Sequence, residues 1–109
     1  MAKIETIKLD SCSGSLYEFD VYPIGTNFKA LAAIYFISKR NDDSSHSGIY
    51  LGITDDISNR FNKHHKEDCF NEHNANCISI LINSSEEERE MIEKDILCKY
   101  NFPCNEVNN

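Results

Sequence analysis

IYLGITDDISNRFNKHH, residues 49–65, passes from an apolar segment through a pair of aspartates into a helical pattern. Ile49, Leu51 and Ile53 alternate with Tyr50 and Gly52, the period-two pattern of a strand. Thr54, Asp55 and Asp56 then supply side-chain oxygens that cap the free N–H groups of a helix start, so a helix is expected over residues 57–66. At about 100° per residue, Ile57, Phe61 and His64 fall on one arc with Arg60 at its edge, and His65 points away from it. A tyrosine strand thus feeds a helix whose core-facing side also carries a cation and a histidine one turn apart. Packing alone does not call for these two residues there.

Upstream, residues 31–38, LAAIYFIS, form a continuous apolar run, read as a buried strand or a short turn leading into one. Residues 39–48, KRNDDSSHSG, are rich in turn formers and fit the long, mobile tip of an antiparallel hairpin that would bring Tyr35 and Tyr50 together on one face. Residues 3–22 read as a preceding hairpin: Ile7 and Leu9 flank Lys8 in alternation, residues 11–15 turn, and Tyr17, Phe19 and Val21 alternate with acids. Downstream, residues 67–76 are polar and expected to be irregular, and residues 77–82, CISILI, are a third buried strand. Ser85 and Glu88 have the spacing of a capping box for a last helix reaching about Tyr100, where Asn101 and Pro103 stop it.

The whole is one α/β (α+β) domain over residues 1–109. Residues 1–30 are a hairpin extension, and residues 31–105 a core whose mostly antiparallel three-stranded sheet is flanked by helices. A chain of 109 residues supports one hydrophobic core. The N-terminus lacks the apolar stretch of a signal peptide and no segment reaches the ~20 apolar residues of a membrane span, so a cytoplasmic protein with no membrane partner is expected. Five cysteines, an odd number without a secretory signal, argue for reduced thiols rather than a disulfide framework. Cys69, His73 and Cys77 recur every four residues, which leaves a structural zinc as the alternative to simple buried thiols.

A net charge of −7 opposes binding to a polyanion. The excess is local, however. Residues 31–66 carry five cations and four anions, and residues 67–109 three cations and ten anions. The acids at the start of the last helix favour its dipole. The surface around Arg60 is left neutral or basic, with Lys39, Arg40, Lys63, Lys66 and His65 close in sequence.

Glu93 lies inside the apolar arc of the last helix formed by Ile92, Ile96, Leu97 and Tyr100, with Arg89 one turn earlier. A half-buried carboxylate needs a partner. That partner is Arg89, Arg60 or a metal ion such as Mg²⁺, which binds through one carboxylate, waters and substrate phosphate oxygens.

Taken together, Ala33-Ile34-Tyr35, Tyr50-Leu51-Gly52, Arg60, His64, Glu93 and Asn105 resemble the GIY-YIG nuclease superfamily over residues 31–105. Ala33 stands where that family usually has glycine, Leu51 replaces isoleucine, and the gap between the two tyrosines is long. The resemblance implies a metal-dependent endonuclease that hydrolyses phosphodiesters without a covalent intermediate. Glu93 would hold one Mg²⁺ or Mn²⁺, Arg60 the non-bridging oxygens, and Tyr35 would activate water with His64 accepting the phenolic proton. Tyr50 would orient water or phosphate, Gly52 and Lys63 would border the substrate, and Asn105 would position the network. The implied partner is nucleic acid, DNA ahead of RNA. The competing class is a non-catalytic module that binds nucleic acid, a nucleotide or a protein through the same cleft. A homodimer or protein partner supplying basic surface is a third possibility.

Overall fold

Residues 33–38 and 77–80 are apolar or small at nearly every position, a pattern a strand sustains only where both its faces are covered. The computed structural model, which describes residues 3–59 and 65–105, covers them in this way. Strands β1 (Glu5–Leu9), β2 (Tyr17–Pro23), β3 (Ala33–Arg40), β4 (His46–Thr54) and β5 (Cys77–Ile82) form one antiparallel sheet in the order β1-β2-β5-β3-β4. The central strand β5 receives the N-terminal hairpin on one side through β2 and the β3–β4 hairpin on the other. Helices α1 (Glu67–Glu72) and α2 (Glu86–Leu97) complete the α+β domain.

The alternation of strand side chains sorts the core into two layers. Ala33, Tyr35, Ile37, Ile78 and Ile80 face α1 and pack with Ile57, Phe70 and Cys104. Ile34, Phe36 and Leu51 face α2 and pack with Phe19, Ile92, Ile96 and Phe102. The hairpin keeps the alternating pattern read from sequence because Tyr17, Phe19 and Val21 turn to one face. Its turn is fastened to the end of α2: Tyr17 donates to the Asp95 carboxylate at 2.8 Å, the Ser13 N–H donates to the same carboxylate at 2.9 Å, and Lys99 pairs with Asp10 at 2.8 Å.

Several boundaries differ from expectation. The loop between β3 and β4 is only residues 41–45, because the strands pair as far as Arg40 and His46. Helix α2 ends at Leu97, and Tyr100 lies beyond it, stacked on Phe102 with ring centroids 5.4 Å apart. Ser85 caps α2 by accepting from the Glu88 N–H at 3.2 Å, but the box is half closed, since Asn83 rather than Glu88 accepts from the Ser85 N–H. The helix expected over residues 57–66 is corrected at its two ends, and its middle, residues 60–64, lies outside the described residues. Asp56 accepts from the Ser58 N–H and starts a 3-10 turn, Ile57–Asn59, and His65 and Lys66 form a turn before α1. The segment expected to be irregular carries helix α1; with only Phe70 buried, it has no apolar period to reveal it.

The thiol expectation is also corrected. Cys12 bonds Cys98 and Cys69 bonds Cys104, with Cα atoms 5.8 and 6.0 Å apart, and Cys77 remains as a buried free thiol. An odd total concealed two pairs that close only in the folded chain, between residues 86 and 35 positions apart.

Candidate active site

The β3–β4 pairing sets Tyr35 opposite Gly52, so Tyr35 and Tyr50 share the face that carries α1. Tyr35 is fully buried, Tyr50 nearly so, and their ring centroids lie 5.9 Å apart at 38°. Gly52 makes this possible by having no side chain. A Cβ there would lie 2.6 Å from the Tyr35 hydroxyl oxygen and 2.9 Å from Tyr50 Cε2, closer than real Cβ contacts. The Tyr35 hydroxyl therefore rests directly over the backbone of β4.

Strand β4 is an edge strand, with backbone groups facing outward that must find partners. Asn105 supplies them: its side-chain amide accepts from the Leu51 N–H at 2.8 Å and donates to the Leu51 carbonyl at 2.9 Å. The neighbouring Cys104 N–H donates to the Ile49 carbonyl at 3.0 Å. Asn105 thus behaves as one residue of an added strand and fixes the position between Tyr50 and Gly52. This backbone clasp is what the Asn105 side chain holds.

Glu93 lies on α2, which packs on β4 and β3 over the Leu51 face through Ile92 and Ile96, opposite the face of the tyrosines. It is half-buried and forms no hydrogen bond or ion pair among the described residues, while Arg60, its other expected partner, lies outside them. Burial, and then the neighbouring Glu90, raise its carboxyl above the ordinary range against the pull of Lys94. The proposed pairing with Arg89 is not formed. Arg89 is 5% exposed, donates from Nη1 to the Asn83 carbonyl at 2.9 Å, and leaves its Nε without a partner among the described residues.

Arg60, Lys63 and His64 lie outside the described residues. His65, expected to point away from the arc of Ile57 and Phe61, is exposed, and its ring meets Tyr50 edge-on with centroids 6.4 Å apart. The basic surface expected near Arg60 is reduced by two members. Arg40 binds Glu5 through Nε at 2.9 Å, and Lys66 is buried.

The structure therefore gathers Tyr35, Tyr50, Gly52 and Asn105 around one point of β4 and adds His65, whereas α2, which carries Glu93, packs on the opposite face of the sheet from the tyrosines. Sequence reasoning missed two clusters. Ser38, His46, Glu5 and Arg40 form a chain of bonds across the sheet, with His46 2.9 Å from Ser38 Oγ and 2.7 Å from Glu5. The other comprises Cys69, His73 and Cys104, whose ligand atoms lie within 4.8 Å of one another. The four-residue spacing of Cys69 and His73 signalled half of it. No helix among the described residues is long and apolar enough to cross a membrane. No family model, no curated protein and no solved structure matches the chain.

Proposed function

We propose that the chain is a divalent-metal-dependent nuclease that hydrolyses nucleic-acid phosphodiester bonds, as its resemblance to the GIY-YIG superfamily implies. The observation that carries this reading is Glu93: a desolvated carboxylate with no hydrogen bond or ion pair among the described residues, on the helix packed against the strand of Tyr50 and Gly52. Such a carboxylate suits a hard cation that keeps most of its waters, and the residues present fit one Mg²⁺ or Mn²⁺ ion. When bound, the ion supplies charge stabilisation at the scissile phosphate.

The remaining steps belong to side chains of this chain. The Tyr35 hydroxyl, held over Gly52, takes a proton from the attacking water, and Tyr50 orients it. A phenol is a weak base at neutral pH, so the proton passes on to a histidine. His64 is the relay the resemblance implies, and His65 beside Tyr50 is the second candidate. Arg60 and Lys63 hold phosphate oxygens by charge-assisted bonds. Asn105 keeps β4 in register beneath the tyrosines.

A second reading, a non-catalytic binding module, draws on the acidic charge of −7 and on the loss of Arg40 to Glu5. The two readings part in a cleavage assay on supercoiled plasmid, single-stranded DNA and RNA with Mg²⁺, Mn²⁺ or EDTA. Metal-dependent cleavage supports the nuclease, with a cytoplasmic role on DNA the first expectation. Binding without cleavage in any metal supports the module.

A further inference from the structure

Cys69 and His73 stand one turn apart on and just after α1, where residues i and i+4 share a face. Cys104 comes to them from the C-terminal segment, held by its backbone bond to Ile49 on β4. The two sulfurs and an imidazole nitrogen lie within 4.8 Å of one another. In a tetrahedral zinc site, Zn–S bonds of ~2.3 Å and Zn–N bonds of ~2.0 Å set ligand atoms about 3.5–3.8 Å apart. The histidine is therefore within about 1 Å of a coordinating distance, and the sulfurs need only separate from one another. Among the described residues this is the group of Cys, His, Asp and Glu side chains with such geometry, and Cys12–Cys98 has no third donor of this kind.

We infer that the Cys69–Cys104 pair, once reduced, forms with His73 a site for a borderline-soft divalent cation, Zn²⁺ foremost. The disulfide and the metal are alternative states of one pair of sulfurs. Reduction by a phosphine breaks the Sγ–Sγ bond, delivers two electrons and two protons to the sulfurs, and leaves the phosphine as its oxide with oxygen drawn from water. Zn²⁺ then displaces both thiol protons and takes the neutral imidazole of His73, and water fills the fourth position. Cys77, which the sequence spacing suggested as third ligand, lies outside the cluster at the start of β5. In either state Cys104 stays anchored to α1, and with it the adjacent Asn105 and its clasp on Leu51.

The test is a Co²⁺ titration of the phosphine-reduced chain, read by thiolate-to-cobalt charge-transfer absorption and followed by Zn²⁺ displacement. One Co²⁺ per chain is expected, with the band absent from the oxidised protein and from Cys69→Ser, and retained in Cys12→Ser. His73→Gln leaves both sulfurs in place, so its fold can be checked with the disulfide formed. Its affinity should fall at least about tenfold, a loss typical even of a residue behind the ligands. No band in the reduced wild type, a band that survives in Cys69→Ser, or unchanged affinity in His73→Gln would overturn the assignment.

Discussion

Replacing Asn105 with alanine removes both bonds of the clasp on Leu51 and nothing else that the side chain is seen to hold. Each bond contributes a net ~1 kcal/mol, and a backbone group left dry and unpaired costs about 1–3 kcal/mol. Leu51 is fully buried, so the expected loss is about 2–3 kcal/mol, falling toward 1 only if water reaches the edge of β4. With a urea slope of about 2 kcal/mol per M, the midpoint should drop by about 1 M at unchanged slope, measured with disulfides intact. Asn105→Asp is the sharper variant, because a carboxylate still accepts from the Leu51 N–H but sets an oxygen against the Leu51 carbonyl. It should lose at least as much as alanine. A loss below about 0.5 kcal/mol in alanine, or an aspartate variant as stable as the wild type, would refute the clasp.

Gly52→Ala sets a methyl group into the Tyr35 hydroxyl and the Tyr50 ring and should cost about 1–3 kcal/mol in the same assay; an unaltered midpoint would mean the tyrosine pair swings aside freely. Glu93 is raised by burial, so the folded state holds its proton more tightly than the unfolded chain does, and stability falls as pH climbs from the ordinary carboxylate range through the raised value. Glu93→Gln should flatten that decline and be the more stable protein at neutral pH, and Mg²⁺ should raise the melting temperature of the wild type alone. Reducing the protein without metal frees chain loops closed across 86 and 35 residues, and should lower stability by about 4 kcal/mol per bridge. Cys12→Ser and Cys69→Ser, melted separately without reductant, divide that loss between the two.

What could be read from the sequence was whatever local pattern determines. The bounds of β5 follow from CISILI, the Ser85 cap from its offset to Glu88, and the Tyr35–Tyr50 neighbourhood from two apolar strands joined by a polar turn. What escaped depends on distant pairing or on breaks in periodicity. The helix expected from Ile57 begins as a 3-10 turn, and His65, in the turn before α1, meets Tyr50, a contact no helical arc specifies. Helix α1 buries one residue, and one residue has no period. The disulfides join the first turn to the end of α2, and α1 to the tail, through contacts that spacing does not encode. Arg89, one of three partners the sequence allows Glu93 because i,i+4 ion pairs are common, donates to the Asn83 carbonyl instead.

The most direct test of the proposed activity is cleavage of nucleic acid in Mg²⁺ or Mn²⁺ by the wild type beside folded Glu93→Gln and Tyr35→Phe. The account predicts cleavage that EDTA abolishes and both variants lose. Equal cleavage by the wild type and Glu93→Gln, or none by the wild type on any substrate with either metal, would contradict it.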